Sequence, residues 1–394
     1  MNTPDVVIVA ARRTPIGSML GNLSGLTAPE LGSHAHTAVL KDTNINPELI
    51  HEVISGCVLQ AGLGQAPARQ AAIKANIPIS VGATTINKMC GSGLKSVMLG
   101  VDAIHTSPEK IILASGMESM SRAPYLLEKA RQGYRLGHGK LMDSMFLDGL
   151  EDAYDHGTLM GVFADQTAQK YEISREDQDA YAVLSMQRAL DAQKQGFFNA
   201  EITPIHTTIS KEQVTIERDE SPDIKKIDKI TKLRPAFGEH GTVTAANSSS
   251  IADGAASVLL MSSLVAANLN IKPLARVIAH SAHAQEPAWF TTAPVGAIKK
   301  LLHQTGWAIQ DVDLFEINEA FAVVSLVAIQ ELKLDINKVN VHGGACALGH
   351  PIGASGTRIL VTLIHALVQR HKKRGIAALC IGGGEAVAIA VEIL

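Results

Sequence analysis

Cys90, in Asn87-Lys88-Met89-Cys90-Gly91-Ser92-Gly93, and Cys380, in Cys380-Ile381-Gly382-Gly383-Gly384, each open into a glycine-rich turn. A thiol in such a place becomes a nucleophile or a proton carrier when its surroundings set its pKa. Between them runs Gly343-Gly344-Ala345-Cys346-Ala347-Leu348-Gly349-His350-Pro351-Ile352-Gly353-Ala354-Ser355-Gly356, which presents a histidine among residues too small to bury it. Two thiols and an imidazole meeting in one pocket would suit acyl transfer to a carbon acid. That chemistry needs a nucleophile for the acyl group and a base for a carbon-bound proton.

Each residue also has a structural reading. Leu94, Val97, Met98, Val101 and Ile104 fall at helical spacing, so Gly91-Ser92-Gly93 reads as the turn into a buried helix, with Cys90 at its N-terminus. Unpaired amides and the helix dipole lower a thiol pKa there, and Gly91 and Gly93 let amides approach a bound carbonyl. The alternative is a buried structural cysteine. His350, just before Pro351, can act as base or oxyanion donor, or can simply bond a loop carbonyl. Cys380 ends an apolar strand and is either site or strand core, while Gly382 allows an N–H close to a substrate. In Asn318-Glu319-Ala320-Phe321-Ala322, Asn318 can hold a water or a carbonyl, and Glu319 can orient His350 or cap the next helix. Lys225, Lys226, Lys229, Lys232 and Arg234 can meet phosphates or form a solvated face.

Strands and helices must position these groups. The spacing predicts apolar strands at 6–10, 53–58 and 110–115 alternating with helices, then a more charged stretch over 121–247. Within it, Ser174-Arg175-Glu176-Asp177 looks like a cap starting a helix that stops near Gly196. The α/β pattern returns beyond 270, with a helix over 356–374 stopped at Gly375, and strands at 376–381 and 386–393. The expected organisation is a first α/β half at 1–120 and 248–270, an inserted loop domain at 121–247, and a second half at 271–394. Turn, helix, strand and glycine follow Cys90 as they follow Gly353, with 23 positions from Gly93 to Gly116 and 26 from Gly356 to Gly382. Two copies of one unit related by a pseudo-twofold would bring both loops to one site.

The 394 residues are 46% hydrophobic but only 4% aromatic, and their 33 glycines favour close helix packing and tight turns. A net charge of −3, from 35 basic and 38 acidic residues, gives no global field for nucleic acid or an anionic membrane. Cys57, Cys90, Cys346 and Cys380 have no zinc-type spacing, so no metal is expected and free thiols are. The apolar run near the start is too short for a signal peptide, and no stretch approaches a membrane span; the expected location is the cytoplasm.

Taken together, the Cys90, Asn318, His350 and Cys380 motifs resemble the thiolase family. The likeness covers essentially the whole chain, including Ile8-Val9-Ala10-Ala11-Arg12-Arg13-Thr14-Pro15-Ile16-Gly17 and Lys232-Leu233-Arg234-Pro235-Ala236-Phe237. It implies a layered αβαβα fold of two similar α/β halves with an inserted loop domain that binds coenzyme A. It also implies that Cys90 takes the acyl group, His350 activates it, and His350 with a water on Asn318 holds a thioester oxygen. Cys380 is implied as general acid and base, and the amides of Cys90 and Gly382 as the oxyanion hole. Related β-ketoacyl synthases carry histidine at the position of Cys380. The family's coenzyme A contacts match Leu150, Met160, Ala236, Phe237, Ser249, Ala320 and Phe321. Coenzyme A thioesters are expected as substrates, with no further cofactor.

The implied reaction is reversible condensation of two acetyl-CoA to acetoacetyl-CoA; the alternatives are a broader-chain 3-ketoacyl-CoA thiolase and a non-catalytic acyl-CoA-binding protein. Residues 131–142 look like the family's tetramerisation loop, so a homotetramer is expected. The chain departs from the family at Leu159-Met160-Gly161, where His-Met-Gly is frequent, and at Ser221-Pro222-Asp223, where an adenine-stacking arginine is often found. Glu385 stands where a small or uncharged residue is commoner, and Cys346 where many relatives have an aliphatic one.

Overall fold

A computed structural model describes residues 4–394. Its main strands are β1 (Val6–Arg13), β2 (Glu52–Gly56), β3 (Gly82–Ile86), β4 (Ile112–Ser119), β5 (Ala252–Ser262), β6 (Ala275–Ala284), β7 (Leu314–Ile317), β8 (Arg374–Ile381) and β9 (Glu385–Ile393). The hydrogen-bonded order is β7-β8-β9-β6-β1-β5-β4-β2-β3. β6 and β1 meet antiparallel through Val7 opposite Arg276 and Ile8 opposite Ala275.

Outward from that seam the two sides repeat. On one side β1, β5 and β4 run antiparallel to their neighbours and β4-β2-β3 are parallel. On the other, β6, β9 and β8 alternate in the same way and β8-β7 are parallel. The counterpart of β3 is reduced to a parallel bridge between Phe315 and Val339.

The helices that shape the site are α1 (Ala28–Thr43), α2 (Ser92–Thr106), α3 (Arg175–Gln195), α4 (Ala293–Thr305), α5 (Ala322–Leu332) and α6 (Ser355–Gln369). Alternation along the strands covers both faces of the sheet. Ala377, Leu379 and Ile381 of β8 join the core around α2 and α6, to which both halves contribute. Ile376, Ala378 and Cys380 face α4 and α5 instead. Outer-face residues of β1, β4 and β5 pack on α1. The result is αβαβα, with α2 and α6 as the shared central layer.

Those two helices approach very closely where they begin. A Cβ on Gly93 would lie 2.7 Å from the Thr357 amide, and one on Gly356 would lie 2.2 Å from the Leu94 amide. Only glycine tolerates such backbone contact. The turns that begin α2 and α6 are therefore brought to one place.

Two expectations change. The last helix ends at Gln369, because His371 turns left-handed at φ 52° and the Lys372 amide donates to the Leu367 carbonyl; β8 then begins at Arg374. The 121–247 stretch is less loop-like than expected, since it contains a helix at Met160–Lys170 as well as α3. The cap on α3 forms as read: Ser174 and Asp177 bond reciprocally and Gly196 closes the helix in the left-handed region.

Candidate active site

Cys90 sits two residues before α2, just outside the Gly91 cap. Met89 holds a left-handed φ of 47°, which turns the chain so that Cys90 faces the C-terminal half. The backbone N–H groups of Gly382 and of Cys90 itself lie near enough to the Cys90 sulfur to favour its charged form. A low thiol pKa was expected from the helix end. Burial instead pushes the thiol up to about 11, outweighing those two amides. The thiol is therefore protonated at rest and needs a base to become a nucleophile.

Cys380, fully buried on β8, lies close enough to Cys90 for charge on one to disfavour charge on the other. Burial, and then Cys90, raise its pKa well above the ordinary value. His350 supplies the imidazole. Its loop is pinned by the His350 amide donating to the Ser250 carbonyl at 2.9 Å. Gly349 precedes it at φ 105°, and a Cβ there would lie 2.7 Å from Ala252.

The Ser355 hydroxyl donates to the Pro351 carbonyl at 3.0 Å, so its oxygen is left to accept from His350 Nδ1–H at 2.6 Å. That arrangement leaves Nε2 with its lone pair, buried and without a partner among the described residues. Burial, with Arg358 adding, pushes His350 down to about 3. A neutral imidazole with a free Nε2 is competent as a base. Asn318, just after β7, approaches His350 Nδ1 at a marginal 3.5 Å, and its own Oδ1 is buried without a partner among the described residues. His350 Nε2 and Asn318 thus both offer unused polar capacity.

Glu118, which sequence reading missed, clamps the two halves. Its carboxylate accepts from the amides of Val58 at 3.0 Å, Leu59 at 3.1 Å and Gly353 at 2.9 Å. Burial nevertheless pushes it up to about 7. Its one visible signal was an acid in the otherwise small and apolar run that ends β4.

Glu319 neither caps α5 nor reaches His350. It accepts from Tyr181 at 3.1 Å, Ser185 at 2.7 Å, Asn340 at 2.9 Å and the Cys346 amide at 3.0 Å, tying α3 to the back of the His350 loop. Cys346 packs there against Tyr181 and Ala322.

The expected coenzyme A residues fall into two groups. Leu150 joins Val58, Met89 and Cys90 in one apolar cluster. Met160 Sδ lies 3.6 Å from where a Gly382 Cβ would be. Phe237 meets Phe321 edge to face at 6.0 Å, the Ser249 amide donates to the Ala320 carbonyl at 2.9 Å, and the Ala236 amide donates to Val243. Tyr154, also missed, stands at the tip of a tight turn built on Asp152 and comes within 4.0 Å of a Gly383 Cβ position. The basic residues at 225, 226, 229, 232 and 234 are exposed.

A fold of two repeated α/β halves, with a thiol from the first and a thiol and imidazole from the second, defines an enzyme of the thiolase type. The chain belongs to the thiolase family: the thiolase N-terminal domain model matches residues 6–263 and the thiolase C-terminal domain model matches 271–393. It is 49% identical to an acetyl-CoA acetyltransferase of Pseudomonas aeruginosa over 98% of each chain. It is 50% identical to one of Chromobacterium violaceum, over 98% of this chain and 99% of that one. The crystal structure of a thiolase from Ascaris suum in complex with coenzyme A superposes with a TM-score of 0.94 at 43% identity, covering 99% of this chain and 100% of that one.

Proposed function

We propose that this protein is an acetyl-CoA acetyltransferase that reversibly joins two acetyl-CoA into acetoacetyl-CoA and free coenzyme A. The observation that carries this reading is that Cys90 lies beside the Gly382 amide and the Cys380 thiol, while Ile352, two residues after the neutral His350 with its unused Nε2, packs in the same apolar cluster as Cys90.

His350 Nε2 takes the proton of Cys90, and the sulfur attacks the thioester carbonyl of the first acetyl-CoA. Negative charge develops on that oxygen, where the amides of Cys90 and Gly382 hold it. The C–S bond to coenzyme A breaks, and the departing thiolate takes the proton of Cys380. A second acetyl-CoA enters with its thioester oxygen at His350 Nε2–H and a water on Asn318. The Cys380 thiolate removes a proton from its methyl group, and the resulting carbanion attacks the acetyl group on Cys90. The Cys90 thiolate leaves and recovers its proton from His350. A thiol whose pKa is raised by burial makes a strong base for a carbon acid.

Leu150, Met160, Ala236, Phe237, Ser249, Ala320 and Phe321 line the path of the coenzyme A chain in this reading. The exposed lysines of the insertion are available to its phosphates. The enzyme works as a homotetramer in the cytoplasm, with residues 131–142 joining dimers; four unpaired cysteines support a reducing compartment.

Leu159, where histidine is frequent, keeps a broader chain length in view. Thiolysis of acetoacetyl-CoA and 3-ketodecanoyl-CoA separates the two readings. The acetyl assignment expects a kcat/KM at least about a hundredfold higher for acetoacetyl-CoA. Comparable values would make the protein a broad-range thiolase.

A further inference from the structure

The backbone amides of Cys90 and Gly382 come from opposite halves of the fold. One belongs to the turn before α2, the other to the Gly382-Gly383-Gly384 hairpin between β8 and β9. Their spacing depends on what holds one turn against the other. Gly91 packs on Ile381 so tightly that a Cβ would lie 2.4 Å from Ile381 Cδ1. The second contact is an ion pair between Lys88 Nζ and Glu385 Oε2.

Each partner is rigidly part of its own turn. The Lys88 amide donates to Ser92 Oγ at 2.8 Å and its carbonyl accepts from the Gly91 amide at 3.0 Å, so Lys88 and Cys90 move together. Glu385 opposes Ile381 across the hairpin and Ala284 on β6. Between Lys88 and Cys90 lies Met89 in the left-handed region, a conformation that its surroundings must enforce. The Lys88 and Glu385 side chains are 27% and 36% exposed, so the pair sits at the rim, where an ion pair adds little to folding stability.

We propose that Lys88 and Glu385 are positioning residues, a strut that fixes the spacing of the Cys90 and Gly382 amides. This rests on the reading above, in which those amides hold the developing oxyanion. It gives Glu385 a task in the reaction. A group that acts only on the charge developing in the reaction changes kcat more than KM.

The test compares kcat and KM for acetyl-CoA condensation, together with the thermal midpoint, in wild type, Glu385→Ala, Glu385→Gln and the swap Lys88→Glu/Glu385→Lys. Glu385→Ala is expected to lower kcat by about ten- to a hundredfold, the range for a misplaced catalytic group, with KM within about twofold. Glu385→Gln keeps the side chain's size and should fold as wild type does, yet lose part of the rate. The swap should regain most of it. A Glu385→Ala kcat within about twofold of wild type, or a swap no faster than Glu385→Ala, overturns the strut. Wild-type protein that takes up no acetyl group would instead sink the catalytic reading on which the strut rests.

Discussion

Cys90, His350 and Cys380 are held in forms that only make sense together. The thiol is pushed up to about 11 and the imidazole down to about 3, so the pair rests as thiol and neutral base. A free imidazole would be protonated, and useless as a base, below about pH 6.5. The depressed value of His350 keeps it unprotonated until the pH falls well beyond that. The pre-steady-state rate of Cys90 acetylation is therefore expected to stay within about threefold between about pH 5.5 and about pH 8.5. A tenfold fall centred near pH 6.5 would contradict the burial of His350. The three residues were legible in the sequence because glycines flank each of them. The Cys90 pKa was not, since a helix end is local whereas desolvation depends on what packs around the sulfur. Glu118 was equally invisible, because its role lies in contacts with distant chain, whereas Ser355, only five residues from His350, read simply as part of the turn before the helix.

The paired elements α2 and α6 bring the turns of both halves together. Their echo was readable from spacing alone, since turn, helix, strand and glycine recur. The closeness of the helices was not. Gly93 and Gly356 looked like turn residues, whereas they are the points where two backbones touch. Replacing a helical glycine by alanine at an open site gains about 1 kcal/mol. At Gly356 the new Cβ would stand 2.2 Å from the Leu94 amide. Gly356→Ala is expected to lose about 1–3 kcal/mol in denaturant unfolding, the usual range for overpacking. An unchanged or higher midpoint would show that the helices can separate freely. The end of α6 was misplaced because Gly375 looked like the stop. The chain instead leaves the helix through a left-handed His371, and Gly375 lies within β8, where Leu363 and Leu367 leave no room for a side chain.

At the scale of the molecule, the insertion has two distinct parts. Its α3 helix buries Tyr181 and Ser185 on Glu319, while the segment over 125–143 stands away from the core. Leu136 is 99% exposed and Leu141 64%, an apolar display that suits association of dimers. Light scattering is expected to give a tetramer for the intact chain and a dimer when 131–141 is replaced by a short glycine-serine linker. A tetramer after that replacement would place the interface elsewhere. The layered halves were legible from the strand and helix pattern and from the family motifs, but the seam between β1 and β6 joins segments about 270 residues apart and carries no local signal. The claim on which all of this turns is an acetyl group on Cys90. Intact-mass measurement after mixing with acetyl-CoA should show one acetyl group on the wild-type chain and none on Cys90→Ala. A wild-type chain without the adduct, or a Cys90→Ala chain that keeps it, would contradict the account.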